Sequence, residues 1–321
     1  LATGEFAPGA LAAFGHTASL ESLQLNDMRG MTPQDLGALS GLKALRYVTI
    51  AFNTVPVGRT SWFDDRALAE IGKFSGVQTM ALVRVRATAK GMAAIAAMPA
   101  LRELTIERGD FAEEALEPLA GSRLVALGLP QNPRLAKRAT EILARITTLQ
   151  RLTLTYATAG GSLAPLAGLA NLSSLDVSNS FVTSDDLVAL AGAPALTELT
   201  ANDNAAIDDR GATALTASKK LRSVAITRTS VGDAGLAALM AIPTLRSLYA
   251  DDLAVGDGFT AAAAKSQIVN IQVGNSDVGD AGLLALVDAP QLGTISVRTS
   301  RVTDAGIAAA KAKRANLNVY K

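Results

Sequence analysis

The spacing L-x-x-L-x-L, with Val, Ile, Met or Ala as substitutes, recurs along nearly the whole chain and constrains its fold more than any other feature. Six copies run Leu20/Leu23/Leu25, Leu45/Val48/Ile50, Val77/Met80/Leu82, Leu101/Leu104/Ile106, Leu124/Leu127/Leu129 and Leu149/Leu152/Leu154. Six more follow at Leu172/Leu175/Val177, Leu196/Leu199/Ala201, Leu221/Val224/Ile226, Leu245/Leu248/Ala250, Ile268/Ile271/Val273 and Leu292/Ile295/Val297. A degenerate thirteenth keeps Leu317 and Val319. Apart from one longer step, Leu45 to Val77, successive first positions keep a nearly constant spacing of about 24 residues. A phase held this long marks a stacked repeat architecture.

The last two apolar positions of each copy are two apart, so both side chains point to one side of a short strand. The first enters the same core from the preceding turn. The rest of each unit has helical spacing. Thr183-Ser184-Asp185-Asp186-Leu187 places an N-cap threonine three residues before an acid, and Thr32-Pro33-Gln34-Asp35 repeats that with proline at the first helical position. Val231-Gly232-Asp233-Ala234-Gly235-Leu236, Val278-Gly279-Asp280-Ala281-Gly282-Leu283 and Val302-Thr303-Asp304-Ala305-Gly306-Ile307 are near copies of one another. One strand–helix unit cannot bury its own apolar face, so units must stack. Strands sit about 4.8 Å apart and helices nearer 10 Å, so the stack bends with its sheet inside. The Ala-rich helices at Ala237–Met240 and Ala261–Ala264 are slim enough to soften that bend.

These units resemble leucine-rich repeats over roughly residues 6 to 321. The likeness is strongest to the helical-backed kinds, ribonuclease-inhibitor-like, F-box-associated and bacterial. It is carried by Leu172-Ser173-Ser174-Leu175-Asp176-Val177-Ser178-Asn179 and by Val302-Thr303-Asp304-Ala305-Gly306-Ile307. Asn53, Asn132 and Asn204 fall where that family places a turn asparagine; Ser180, Thr229, Leu253, Ser276 and Ser300 replace it elsewhere. The resemblance implies an α/β solenoid, a curved horseshoe of about 12 to 13 repeats. Its parallel sheet would line the concave face and its helices the convex one. The expected organisation is a single repeat domain over 1–321. Residues 1–19 would be an N-terminal helix or partial repeat with Phe6, Ala10, Leu11 and Phe14 on one face. Residues 53–65 would be a loop insertion and 314–321 a terminal strand.

The residues alternating with the buried leucines should line the inner face in three rows, from Ser22, Gln24 and Asn26 to Thr294, Ser296 and Arg298. That face is mostly small and polar. Its charges are sparse and mixed: Glu103 with Arg151, then Asp176, Glu198 and Asp251. Its aromatic points are Tyr47 with Phe52, and Tyr156 with Tyr249. The 53–65 insertion adds Trp62, the chain's one tryptophan, and Phe63 as binding anchors if the loop projects. If it folds back, the two rings cover the loop's own backbone.

Composition removes most catalytic classes. The chain has no Cys and one His, His16, so thiol chemistry, disulfides and Cys-bearing zinc sites are excluded, and a Ser/His/Asp group is not expected. Asp185-Asp186, Asp208-Asp209 and Asp251-Asp252 lack calcium-loop spacing and read as helix caps or as strand neighbours facing opposite sides. No catalytic, cofactor-binding or metal-binding residue is assigned, and no cofactor is expected. A formal charge of +1 gives no basic nucleic-acid track, and no apolar run is long enough to insert in a membrane. The expected function is a monomeric, non-catalytic scaffold that binds a protein through its strand face. Two alternatives stay open: the recognition region of a larger secreted effector or surface protein, and an enzyme using inner-face carboxylates. Ala and Gly richness, with Arg exceeding Lys, suggests a bacterial source but no compartment.

Overall fold

The computed structural model describes residues 4–5, 9–15, 17–52, 63–135, 137–156 and 161–321. Trp62, Asn53, Phe6 and His16 lie outside them. The chain divides into two compact units, Leu1–Gly161 and Ser162–Lys321. Each is a parallel sheet with helices on its other side, the α/β architecture of a leucine-rich-repeat-type solenoid.

In the first unit the strands are Ser22–Asn26, Tyr47–Ala51, Thr79–Val83, Glu103–Glu107, Ala126–Gly128 and Arg151–Thr153. The first shortening, from five residues to three, falls where Pro130 takes the fifth position and cannot donate to the ladder. In the second unit the strands are Ser174–Asp176, Glu198–Thr200, Ser223–Ala225, Ser247–Tyr249, Asn270–Gln272, Thr294–Ser296 and Asn318–Tyr320. Pairing is parallel and in step, so equivalent positions stack: Leu175, Leu199, Val224, Leu248, Ile271, Ile295 and Val319 form one column. The three apolar positions of the repeats are buried from Leu23 to Val297, apart from Leu20 at the head of the first copy. A separate two-stranded sheet pairs Gly4–Glu5 with Met28–Arg29, an element that periodicity does not announce. The expected N-terminal helix is a five-residue 3-10 turn, Ala10–Phe14, of which only Leu11 is buried.

The backs of the repeats follow a length rule. The α-helices are Pro33–Gly37, Asp65–Ile71, Ala89–Ala96, Lys137–Leu143, Ser184–Leu190, Asp209–Ala214, Asp233–Met240, Asp280–Leu286 and Asp304–Lys313. The three shortest intervals, Leu101 to Leu124, Leu149 to Leu172 and Leu245 to Ile268, carry 3-10 segments instead: Glu113–Gly121, Ala164–Gly168 and Thr260–Lys265. A 3-10 helix rises about 2.0 Å per residue against about 1.5 Å for an α-helix, so it spans the same back with a shorter stretch of chain. This corrects the reading of Ala261–Ala264 as α-helix. Val255-Gly256-Asp257-Gly258-Phe259 is one residue shorter than Val231–Leu236, and tighter winding lets Phe259 still reach full burial.

Eleven of the thirteen strands leave the sheet through one residue in the left-handed region, the exceptions being Tyr47–Ala51 and the last strand. Seven positions after the first apolar residue, Asp27, Arg84, Arg108, Gln131, Tyr156, Asn179, Asp203, Arg228, Asp252, Asn275 and Thr299 have φ between 47° and 63°. Most of their backbone N–H groups donate to the carbonyl six residues after the next repeat's first apolar position, as Asp203 does to Thr227 and Arg228 to Asp251. Those bonds offset the cost of the conformation for residues with a Cβ.

Candidate functional site

On the strand face of Leu1–Gly161, Tyr47 is flanked in register by Ser22 and Thr79, too short to shield its ring, and it is 53% exposed. Arg151 reaches over Ala126 to Glu103, closing an ion pair of 2.6 Å between strands two apart. Tyr156, 54% exposed, sits in the left-handed column at the strand exit. Phe52 and Phe63 behave differently. Their ring centroids lie 5.2 Å apart and both rings are buried, Phe63 completely. The aromatic pair packs into the core where the chain returns to helix Asp65–Ile71, and a phenyl ring with no accessible surface touches no partner. This corrects Phe63 as a projecting anchor and Phe52 as an inner-face contact. Trp62 and the rest of 53–62 are outside the described residues.

On the strand face of Ser162–Lys321, Asp176 accepts hydrogen bonds from the Ser178 N–H and hydroxyl at 3.0 and 2.8 Å. Glu198 is exposed, and Tyr249 lies half-buried between Ala225 and Gln272. Asp251 accepts from the Gly274 N–H at 2.6 Å. The acidic pairs are held in the framework. Asp186 accepts from the Thr183 N–H and hydroxyl, both at 2.9 Å, and Asp185 pairs with Arg210. Asp208 accepts from the Arg210 N–H, while Asp209 reaches into the next repeat and takes the N–H groups of Gly232 and Gly235 at 2.7 and 2.9 Å. The same reach joins Asp65 to Thr88, Asp233 to Gly256, Asp257 to Gly279 and Asp280 to Thr303.

Each of these acids thus caps the neighbouring repeat's back, which lets glycine serve as N-cap at Gly232 and Gly279 without a side chain of its own. It also explains the glycine of the Val-x-Asp-Ala-Gly-Leu motif. A Cβ at Gly235, Gly282 or Gly306 would collide with the preceding repeat's Asp209, Asp257 or Asp280. Among the described residues no three His, Cys, Asp or Glu side chains gather into a group that could hold a metal ion. No helix among them is long and apolar enough to cross a membrane.

The left-handed column supplies residues that the strand pattern does not pick out. Arg228 bridges Asp203 in the repeat before and Asp252 in the repeat after, and the Asn275 amide continues the chain to Asp252. The hydrogen bond from Arg228 holds the Asp203 carboxyl below the usual carboxylate range, and Arg228 itself is held more firmly protonated. Asp208, bonded by Ser184, and Asp280, bonded by Thr303, are lowered likewise. A carboxyl depressed on folding adds stability above its unfolded pKa of about 3.9, and that stability is lost as pH falls through the folded value. The urea midpoint is therefore expected to be insensitive to these three acids from about pH 8 to 5 and to drop below about pH 4. An early drop between pH 7 and 5 would contradict this assignment. Phe181, 70% exposed with φ 56°, also escaped the strand reading, because it lies two residues past the column on the turn to helix Ser184–Leu190.

No protein-family model and no curated protein sequence matches the chain. Among solved structures it is similar to an internalin (InlF) from Listeria monocytogenes str. 4b F2365. The two share 16% identity with a TM-score of 0.61, over 97% of this chain and 88% of that one. It is also similar to TLR13 in a complex with ssRNA13, at 14% identity and a TM-score of 0.61, over 87% of this chain and 43% of that one. At such identities the likeness is one of fold: a leucine-rich-repeat-like solenoid, with no subfamily specified.

Proposed function

We propose that the chain is a binding scaffold that recognises a protein partner through its strand face, without catalysing a reaction of its own. The observation that carries this reading is Tyr47, an aromatic ring on a rigid strand, more than half exposed and flanked only by Ser22 and Thr79. Tyrosine offers contact area and a hydroxyl at low entropic cost, and such rings recur as binding anchors. Tyr156 adds a second ring in the same unit, in a backbone conformation that an aromatic residue adopts only at a cost. In that unit the Glu103–Arg151 pair adds charged contact groups, and the strand face of Ser162–Lys321 offers its own in Asp176, Glu198, Tyr249 and Asp251. The likeness to an internalin concerns the fold and names no partner for this chain.

The test uses the full chain as bait in lysate of its source organism, beside a Tyr47→Ala/Tyr156→Ala double variant. Both rings are exposed, so the variant keeps the fold, which circular dichroism checks. A partner held by the parent is expected to bind the variant at least tenfold more weakly, the size of a hot-spot loss. Equal binding by both would move the contact off these rings.

A further inference from the structure

On the strand face of Ser162–Lys321, the last four strands and the turns that follow them enclose a cavity of about 340 Å³. The side chains of Gln272, Thr294, Ser296, Arg298 and Tyr320 line it, and none has a hydrogen-bond or ion-pair partner among the described residues. Side chains without partners among the described residues also occur elsewhere on the face, as at Glu198, Thr200 and Tyr249, but here they gather around one cation, while the aspartates and Asn202 of the face are held. Asp176 is bonded by Ser178, Asn202 takes the Thr227 N–H, and Asp251, also at the cavity, is bonded by Gly274. Gly274 keeps the floor open: a Cβ there would lie 3.0 Å from both Asp251 Oδ1 and the Arg298 carbonyl oxygen.

Arg298 is the only cation in the three inner-face rows of this unit, whose other charges, Asp176, Glu198 and Asp251, are acids. It forms no ion pair with Asp251, whose carboxylate is turned to the Gly274 N–H. A guanidinium fork without a counter-ion matches a carboxylate in charge and in bidentate geometry. The hydroxyls of Thr294 and Ser296 and the Gln272 amide both donate and accept, as the peptide groups flanking an acidic side chain require. Tyr320, 52% exposed, offers a ring face for the methylene stem of that side chain. The volume lies at the small end of ligand pockets, about 300–1,000 Å³.

We propose that this cavity receives an acidic side chain, Asp or Glu, of the protein partner, with Arg298 as the carboxylate-binding residue. The inference rests on the reading that the strand face binds a protein, and it supplies that reading with a chemistry. A uronic-acid sugar also carries a carboxylate, but the groups here are spaced along strands and suit an extended peptide.

The test follows the Arg298 Nε–H and Gln272 side-chain amide signals by NMR in the full chain. The probes are acetyl-Glu-Glu-amide, the neutral acetyl-Gln-Gln-amide and glucuronate. Saturable shifts with the acidic dipeptide are expected, at least tenfold weaker with the neutral one, abolished by Arg298→Gln and partly kept by Arg298→Lys. Equal response to both dipeptides, or binding that survives Arg298→Gln, overturns the proposal. So does saturation by glucuronate alone, which would make the cavity a saccharide site. If the dipeptide does not bind but a partner is still captured through Tyr47 and Tyr156, the cavity inference fails and the strand-face reading stands. Dipeptide binding with no protein captured leaves a carboxylate site and removes that reading.

Discussion

Leu248→Asp is expected to unfold Ser162–Lys321, while Ser247→Asp, one residue earlier, shifts its urea midpoint only slightly. Leu248 has no exposed surface and stands in the column between Val224 and Ile271. Truncating a buried leucine costs about 2–5 kcal/mol, and an unpaired charge left in an apolar column adds several kcal/mol more. Against a total stability of about 5–15 kcal/mol, that sum leaves little or no folded population. A solenoid repeat contacts only its neighbours, so a charge wedged into the column loosens the units on both sides. Ser247 points to the other face, half-buried, between Ser223 and Asn270, neither of which carries charge. Circular dichroism and urea titration of the full chain decide the matter. If the two variants behave alike, the strand register is wrong.

The same comparison shows why the sequence pattern alone chooses poorer controls. Periodicity marks Ser174 and Thr200 as solvent-side positions on the same face as Ser247. The register sets Thr200 beside Asp176, and Ser174 beside Glu198, so an aspartate at either meets a like charge on the adjacent strand. Which face a residue occupies follows from a period of two. What stands next to it across the sheet follows from aligning the repeats by their first apolar residue.

Much of the rest was legible for that reason. The capping acids at Asp35 and Asp186 follow from local spacing, and the structure shows both bonding to their threonines. The reach of Asp209, Asp257 and Asp280 into the next repeat did not, because a cap supplied from almost a full repeat away has no local signature. The 3-10 backs were encoded in the shortest intervals, but that meaning emerges only when geometry ties interval to rise per residue. Phe63 misled because an aromatic in an insertion reads equally well as projecting or folded back. Its burial against Phe52 is a tertiary contact that one-dimensional spacing does not display. The cavity at Arg298 was hidden differently. Its residues were all placed on the inner face, yet their lack of partners is visible only once every neighbour's bonds are counted.

Asn204 provides the second large effect, and the repeat array contains its own control. Asn204 is 2% exposed, and its Oδ1 accepts from the Ser180 and Val182 N–H groups of the previous repeat at 3.1 and 3.0 Å. Its Nδ2 lies within 3.0–3.1 Å of the carbonyls of Val177, Ala201 and Asn202. Asn204→Ala strands these buried groups, and at about 1–3 kcal/mol for each unsatisfied group the expected loss is about 3–6 kcal/mol. In three of the four later repeats a hydroxyl fills this position and donates to the carbonyl three residues back, as Thr229 does to Ile226 and Ser276 to Val273. Asn204→Ser should therefore regain the bond to Ala201, worth about 1 kcal/mol, and not the two cross-repeat bonds. Urea midpoints are expected to rank parent above Asn204→Ser above Asn204→Ala. Hydrogen exchange should show the Ser180 and Val182 amides losing protection in both variants. A serine variant as stable as the parent would mean that the reach into the previous repeat contributes nothing, and that the turn alone holds the asparagine in place.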